Sequence, residues 1–290
     1  NAEPAGDDAF MVRTAQKMYH EISPETGEFI DFMIDHELMD LQNKPGKAST
    51  GYMTSLPSLK APFVFSCFNH TIFDMQVLTH ELGHAFAGYM AMRSQPIADF
   101  YSESTDIAEI HSMSMEQFAY PYAEWFFGDQ ADKFRFAHLQ EALTFVPFGV
   151  AVDEFQHICY AHPEMTPKER TYQWHLLEEK YMPWRRYEDD AFMERGGYWY
   201  HKLHIYLYPF YYINYTLTTM GAMEFKKKYA EDKAAAWQDY LKLCKTGGSR
   251  SYLETLRYAN LANPFEAGSV ARACGYAENI LLRQLAEQEK

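Results

Sequence analysis

The segment Leu78–Met90 constrains this chain most, because it contains the pattern His-Glu-x-x-His at His80, Glu81 and His84. In a helix the two histidines are one turn apart and leave the same face, so both imidazoles can bind one tetrahedral zinc ion. Glu81 lies about a third of a turn away and reaches a water on the metal better than the metal itself. The pattern predicts half of a zinc site with a general base. An amphipathic core helix with two incidental histidines is the alternative from this motif alone.

A second predicted helix carries candidates for the remaining ligand. Glu109, Ser112 and Glu116 fall on one of its faces, in line with an apolar stripe where carboxylates need partners. One carboxylate would be the third zinc ligand, and the other would accept the free N–H of a ligating histidine. A solvated helix face is the simpler alternative for any single glutamate. Spacing alone also leaves Asp106 and Glu103 as rival ligands.

Polar aromatic side chains form a third feature, in a predicted substrate-side helix over residues 198–220. They recur every three to four residues and would share one face, despite Pro209, which bends the helix or marks its first turn. The members are His201, His204, Tyr208, Tyr211 and Tyr215. Such a stripe suits a wet cavity, although tyrosine stripes also pack at helix interfaces.

Composition limits the classes of partner. The chain has 26 basic and 40 acidic residues, for a formal charge of −14, which argues against nucleic acid and anionic membrane. It contains neither an apolar run long enough for a membrane span nor a signal peptide. The 4 cysteines are widely spaced, with no Cys-x-x-Cys pair, so a reduced, cytoplasmic protein is the simplest expectation.

The remaining pattern predicts mostly helices. Two are expected in Asp8–Leu41, separated at Ser23-Pro24, where serine caps the second helix and proline opens it. A turn at 43–50 precedes two edge strands, Gly51–Leu56 and Ala61–Phe68. Thr71 or Asp74 would cap the helix with the metal motif, and the next helix would start near Ser104. Helical segments then continue with breaks at Phe127-Gly128, Pro147, His162-Pro163 and Pro183. In the last quarter of the chain, residues 223–290, the pattern predicts amphipathic scaffold helices joined by Lys245–Ser249 and Ala262–Phe265.

Three motifs in this order resemble oligoendopeptidase F, in the thimet oligopeptidase family of zinc peptidases. They are His80-Glu81-Leu82-Gly83-His84-Ala85, then Ala108-Glu109-x-x-Ser112-x-x-x-Glu116, then His204-x-Tyr206-x-x-Pro209-Phe210-Tyr211-x-x-x-Tyr215. Gly51-Tyr52 and Lys245-x-Gly247-Gly248-Ser249 are also similar to that family. Agreement of several weak motifs along nearly the whole chain is far more specific than one motif.

The resemblance implies a mainly α fold: a helical zincin-type catalytic domain with a small β-sheet lining a substrate channel. It would be a single domain over 1–290, comprising a helical lead-in (1–50), edge strands (51–68), zinc-binding helices (70–120) and a helical scaffold (121–290). Members of this family are roughly twice as long, so the chain, which begins with Asn1, is expected to be a fragment or processed piece. The missing N-terminal half, forming the opposite channel wall, is then a possible partner.

The resemblance also assigns roles. His80, His84 and Glu109 would bind one zinc ion per chain, Glu81 would activate water, and Glu116 would support a ligand. His204, Tyr208 and Tyr215 match the groups that stabilise the tetrahedral intermediate. Gly51, Tyr52, His201 and Tyr211 would contact substrate. Ile213 stands where the family pattern often has tyrosine, which leaves the division of labour among the tyrosines open.

The expected function is hydrolysis of internal bonds in short peptides, which would add as a strand beside Gly51–Thr54 or Phe63–Ser66. One alternative is a related helical zinc carboxypeptidase or a dipeptidyl carboxypeptidase resembling angiotensin-converting enzyme. Another is a catalytically silent peptide-binding protein, against which the intact Glu81 argues.

Overall fold

The computed structural model describes residues 2–48 and 50–288, so the predicted domain limits at 1 and 290 lie outside the described residues. The fold is mainly helical with one small sheet, as predicted. The α-helices are α1 (Asp8–Ile22), α2 (Pro24–Asp35), α3 (Ile72–Ser94), α4 (Thr105–Phe118), α5 (Ala123–Phe127), α6 (Ala131–Ala161), α7 (Pro167–Tyr181), α8 (Ala191–Glu194), α9 (Leu203–Leu207), α10 (Ile213–Glu231), α11 (Lys233–Thr246), α12 (Tyr252–Tyr258) and α13 (Ser269–Gln288). The strands are β1 (Met39–Asp40), β2 (Tyr52–Leu56) and β3 (Ala61–Phe65).

The first two helices meet where the sequence predicts. Ser23 ends α1 and caps α2, its hydroxyl accepting from the Thr26 amide at 3.1 Å, and Pro24 opens α2. The helical pattern does not continue to Leu41, because α2 ends at Asp35 and Glu37 takes a left-handed φ of 53°. The chain then becomes β1, where the Leu38 and Asp40 carbonyls accept backbone hydrogen bonds from the next strands.

The prediction of two edge strands is half wrong. The sheet order is β1-β3-β2, so β3 lies in the centre and β2 at an edge. Pro62 is tolerated in β3 because β1 pairs only with Val64 and Phe65. The Val64 and Ser66 amides donate towards β1, and position 62 faces the same side beyond the end of that strand, where no ladder hydrogen bond is lost.

The centre of the fold is α3, which packs against α4, α11, β2 and β3. Leu78, Leu82 and Phe86 are fully buried along it, and Phe86 meets Phe29 edge to face with ring centroids 5.4 Å apart. Of the two alternative caps predicted for α3, Thr71 is the N-cap, and its hydroxyl accepts from the Phe73 amide. The Asp74 carboxylate accepts from the Asn69 and His70 amides, which fixes the loop that enters the helix.

Gly83 sets the distance between α3 and α4. A Cβ at this position would lie 2.7 Å from the Ser112 Cα and 3.1 Å from the His111 carbonyl oxygen, both backbone atoms of α4. Only a residue without a side chain permits this approach, because helix backbone cannot move aside cheaply. The contact brings the face of α4 that carries Glu109 against the two histidines of α3.

One of the four helix breaks predicted after residue 120, the break at Pro147, is wrong. Pro147 does not break a helix but lies inside α6, and Phe148, Val152 and Phe155 beyond it are buried in the second core cluster. Their packing against α7 outweighs the loss of one backbone hydrogen bond. The breaks at Phe127-Gly128, His162-Pro163 and Pro183 are confirmed.

The single helix predicted over 198–220 is three pieces: a 3-10 turn at Gly197–His201, then α9, then α10 from Ile213. Tyr208, which precedes proline, leaves the helical region with φ −138° and ψ 67°, in keeping with the bias of a residue before proline against helical geometry. Phe210 then takes a left-handed φ of 60°. The chain reverses there before α10 starts.

The described residues contain no helix with both the length and the apolar character needed to cross a bilayer.

The close helix crossing makes a prediction about stability. Gly83→Ala should destabilise the protein by about 1–3 kcal/mol, because the added carbon overpacks α4 backbone. Gly275→Ala in α13 is the matched control: nothing lies within 4 Å of its added Cβ, and alanine is the better helix former. Thermal unfolding of both variants tests this, and a Gly83→Ala melting temperature at or above that of Gly275→Ala contradicts it.

Candidate metal centre and cleft

Three side chains from α3 and α4 converge on one point. Glu109 Oε2 lies 3.1 Å from His80 Nε2 and 3.3 Å from His84 Nε2. The two imidazole rings stand nearly perpendicular, with centroids 4.9 Å apart. Among the described residues these three form a group whose ligand atoms all lie within 4.8 Å of one another.

These atoms fit a zinc ion in spacing and in chemistry. Ligands about 2.0–2.1 Å from a tetrahedral zinc ion lie roughly 3.3 Å from one another. The observed separations of 3.1 and 3.3 Å match that spacing. Two imidazoles and one carboxylate are a donor set that zinc accepts while keeping a fourth position open. The Ser112 hydroxyl donates to the same Glu109 oxygen at 2.9 Å and so steadies the carboxylate.

Glu116 lies behind His80. Its Oε1 is 2.6 Å from His80 Nδ1, so the carboxylate accepts the N–H of the ring nitrogen that faces away from Glu109. Although burial raises the pKa of Glu116, hydrogen bonds from His138 and His80 lower it to about 2. Glu116 is therefore ionised at neutral pH and orients His80, which is the arrangement predicted for it.

Protonation of His80 competes with metal binding. Burial lowers the pKa of this imidazole, but hydrogen bonds to Glu109 and Glu116 outweigh burial and hold it well above the usual value. Burial raises the pKa of Glu109, but hydrogen bonds from His80 and His84 outweigh burial and lower it. A metal on Nε2 requires the neutral ring, so metal uptake releases a proton.

Glu81 points from α3 towards the same cleft but is not one of the three converging groups. Glu81 is only 8% exposed. Burial raises the pKa of its carboxyl group, and the nearby His80 and His84 partly offset that rise. A carboxylate with a raised pKa accepts a proton better than an ordinary glutamate does. A Cβ on Gly51 would lie 3.1 Å from Glu81 Oε1, so glycine at 51 leaves space beside this carboxylate.

The metal-binding atoms lie in a cleft of about 430 Å³. Its walls are the edge strand β2, the helices α3 and α4, and the segment at 101–103. The lining residues include Gly51, Tyr52, Met53, Ser55, Tyr101, Ser102, Glu103 and Tyr215. Gly51, Tyr52 and Tyr215 are thus at the cleft, as expected from sequence.

The glycine loop at 245–249 supports one wall of the cleft. The Gly248 amide donates to the Phe100 carbonyl at 3.1 Å. Gly247 has a φ of 48°, and a Cβ there would lie 2.0 Å from the Phe100 oxygen. The loop therefore holds the segment that leads into Tyr101 and Ser102.

The rival ligands have other partners. Glu103 Oε1 lies 3.1 Å from His111 Nδ1, a fully buried imidazole, and that pairing lowers the pKa of Glu103 although burial raises it. Asp106 accepts a hydrogen bond from Ser104, the residue at which α4 begins, as predicted. The structure thus brings Glu109, rather than either rival, against the histidines.

The aromatic residues separate into a partly buried group around Tyr215 and an exposed pair. His204, Tyr211 and Tyr215 touch one another, with centroids 6.1 Å apart for His204 and Tyr215 and 5.4 Å apart for the two tyrosines. Tyr208 is 61% exposed, with its ring centroid 6.5 Å from His204. His201 is also exposed, and its ring centroid lies 5.8 Å from that of Tyr198. The reversal at Pro209 removes the shared helical face on which these five residues were predicted.

The pKa shifts of Tyr215 and His204 favour the neutral forms of both side chains, which can donate hydrogen bonds. Burial and a hydrogen bond with Tyr211 raise the pKa of Tyr215, so its phenol keeps the proton. Burial and the nearby Lys202 charge lower the pKa of His204, which favours the neutral imidazole.

Sequence reasoning missed two parts of the site. His138, on α6, is buried against Glu116, and Tyr101 lines the cleft. Neither belongs to the three motifs. The fact that Glu116 has two oxygens and only one predicted partner was the available signal for a second donor.

Fold and site together define a helical protein with a candidate metal centre in a cleft beside an edge strand. The chain belongs to Peptidase family M3, whose sequence profile matches residues 13–274. The resemblance to oligoendopeptidase F is confirmed by its relatives.

A curated oligoendopeptidase F homolog from Borreliella burgdorferi is 26% identical over 234 residues, covering 77% of this chain and 38% of that protein. The solved structure of PZ peptidase A with inhibitor 2 is 48% identical, with a TM-score of 0.90 over 98% of this chain and 50% of that one. A 3.1 Å X-ray structure that carries the name oligoendopeptidase F is 50% identical, with a TM-score of 0.89 over 97% of this chain and 50% of that one. This chain thus spans half or less of the length of these relatives.

The ligand geometry makes a prediction about metal content. The purified chain should hold about one zinc ion, and Glu109→Gln should weaken its retention, because an amide is a poorer ligand than a carboxylate. Glu103→Gln and Asp106→Asn are matched controls that should leave zinc in place. Elemental analysis after dialysis measures all four proteins. Loss of zinc from a control instead of Glu109→Gln would reassign the third ligand.

Proposed function

We propose that this chain carries the catalytic centre of a zinc-dependent oligoendopeptidase that cleaves internal bonds of short peptides. The observation that carries the proposal is the convergence of His80, His84 and Glu109 in one cleft with Glu81 beside them. Membership of a peptidase family supports hydrolysis of peptides as the reaction class.

In this proposal the zinc ion is held by His80, His84 and Glu109. When bound, it supplies acidification of a water and polarisation of the scissile carbonyl. Glu81 takes the proton from the attacking water and returns it to the leaving amine, a task that its raised pKa suits. Glu116 keeps the His80 ring in one orientation throughout.

Tyr215 and His204 are proposed to stabilise the tetrahedral intermediate. Tyr215 lines the cleft, and its phenol stays protonated, so it can donate a hydrogen bond to the developing oxyanion. His204 contacts Tyr215 and is neutral, so it offers a further N–H in the same region. Tyr211 supports Tyr215 by packing edge to face against its ring, with centroids 5.4 Å apart. The sequence-based prediction for Tyr208 is not carried into this proposal, because its ring is 61% exposed, and the role predicted for His201 stays a prediction.

The substrate is proposed to add as a strand beside β2. β2 is an edge strand, and Gly51, Tyr52, Met53 and Ser55 line the cleft. An extended peptide there would be held by backbone hydrogen bonds, which favours short unfolded peptides over folded proteins. The alternative docking at Phe63–Ser66 is wrong, because β3 is paired with β1 and β2 on its two sides.

The greater length of the relatives suggests what the partner of this chain could be. Because this chain spans about half of the solved structures, we propose that a second half of similar size completes the channel. Short peptides remain the proposed substrates, and a reduced, cytoplasmic setting stays a prediction.

One experiment separates this function from its alternatives. Mass spectrometry of products from a set of 8- to 12-residue peptides, about the length of an extended strand, should show internal cuts. Cuts confined to the C-terminal end would instead indicate a carboxypeptidase or dipeptidyl carboxypeptidase. Binding without any cleavage by the zinc-loaded protein would indicate a silent peptide-binding protein.

The first kinetic prediction concerns Glu81. Glu81→Gln should retain zinc and lose peptide hydrolysis by several orders of magnitude, because the amide cannot accept the proton. Zinc content and turnover of a quenched fluorescent peptide are measured on the same preparation. Unchanged turnover, or loss of zinc together with activity, contradicts the assignment of Glu81 as base.

The second kinetic prediction concerns the tyrosines. Tyr215→Phe should lower kcat about ten- to a thousandfold with little change in KM, since an oxyanion donor acts mainly in the transition state. Tyr208→Phe makes the same chemical change on an exposed ring and should leave kcat nearly unchanged. Melting temperatures of both variants exclude unfolding as the cause. A loss of kcat in Tyr208→Phe would restore the prediction that both phenols take part.

A further inference from the structure

A chain of buried hydrogen bonds runs away from the candidate metal ligands. Glu116 uses its two oxygens separately: Oε1 accepts from His80 Nδ1, and Oε2 pairs with His138 Nε2. His138 Nδ1 in turn lies 2.7 Å from the Tyr120 hydroxyl. The three supporting residues come from α4, α6 and the 3-10 turn Tyr120–Tyr122, so the chain joins three elements.

The directions of these hydrogen bonds determine one another. Each oxygen of the Glu116 carboxylate faces one imidazole nitrogen, and a carboxylate accepts hydrogen bonds through both oxygens, so both histidines present N–H to it. A neutral His138 then carries its proton on Nε2, and its Nδ1 accepts from the Tyr120 hydroxyl. The tyrosine thereby selects the tautomer of His138, and His138 occupies the Glu116 oxygen that His80 does not use.

His138 is held in place by packing as well as by hydrogen bonds. It is 6% exposed, and its ring stacks on Phe134 with centroids 5.6 Å apart. The Lys226 ammonium lies 3.4 Å above the Tyr120 ring, and Arg135 donates to the Tyr120 carbonyl at 3.0 Å. These contacts leave Tyr120 and His138 little freedom to rotate.

We propose that His138 is a positioning residue for the metal centre, with Tyr120 fixing its tautomer. It holds the Glu116 carboxylate in the plane that meets His80 Nδ1, and so it aims His80 Nε2 at the metal. Without a donor on Oε2, the carboxylate would be buried half-paired and would turn to find another partner. The proposal rests on the proposed zinc site and extends it to residues that do not touch the metal, the substrate or the ligands.

The test measures zinc affinity directly. Zn²⁺ dissociation constants come from competition with a chromophoric chelator, for the unchanged chain and for His138→Phe, which keeps a ring but removes the donor. His138→Phe should weaken zinc binding by about tenfold to a hundredfold, the range seen when the partner of a ligating histidine is lost. His138→Gln, whose amide N–H can reach Glu116, should recover most of the affinity. His157→Gln, an exposed histidine on the same helix, should match the unchanged chain.

Further readouts separate positioning from a purely structural role. The absorption bands of the Co²⁺-substituted protein report ligand arrangement, and they should shift in His138→Phe and return in His138→Gln. A melting temperature that falls in His138→Phe while the Zn²⁺ dissociation constant changes less than tenfold overturns the proposal. If His138→Phe does not fold, Tyr120→Phe decides: it should weaken Zn²⁺ binding, and unchanged affinity overturns the proposal. A chain that binds no zinc before any substitution refutes the proposed function itself.

Discussion

The structure depends on the burial of two glutamates against one histidine at the crossing of α3 and α4. Glu109 and Glu116 both lose water there, and each regains hydrogen bonds from imidazoles. Buried carboxylates are costly unless they are paired in this way. The pairing is possible because Gly83 lets the two helices approach to backbone contact. Ligand geometry, helix packing and charge compensation are therefore one arrangement, and altering any of them disturbs the others.

The same helix crossing places the candidate metal ligands at the edge of a packed core. Phe86 packs against Phe29 and Tyr240, while the opposite face of α3 opens to β2 and the cleft. Glu81 sits between these two environments. It is buried enough for its pKa to rise, yet it faces the space where a water and a peptide would meet. Helix α3 thus contributes one face to the buried core and the other to the cleft.

Local signals in the sequence were sufficient for much of this arrangement. The His-Glu-x-x-His spacing, the cap at Ser23 and the start of α4 at Ser104 depend on neighbours within one or two turns, and the structure has each of them. The structure places Glu109, rather than Asp106 or Glu103, against the histidines, but in the sequence only the resemblance to a family separated these three.

The errors arose where distant packing decides. Helix α6 runs through Pro147 because α7 and α10 pack along it, and β3 is central because a two-residue strand from residues 39–40 joins its far side. The aromatic stripe had helical spacing, yet the helix ends before the pair Tyr208-Pro209, and the chain reverses at Phe210 with its left-handed φ of 60°. His138 meets Glu116 from a different helix, 22 positions further along, and no local pattern encodes that contact.

The position of β2 has a consequence for the physical state of anything that enters the cleft. An edge strand on a flat surface invites pairing with other sheets and with other copies of the same chain. Here the edge strand lines a concave space of about 430 Å³, bounded by α3, α4 and the segment at 101–103. A single extended backbone is thin enough to reach it, whereas a folded sheet brings further strands about 4.8 Å to the side and layers about 10 Å above. Under the proposed function, the shape of this cleft would favour a single extended peptide over a folded sheet, whatever its side chains.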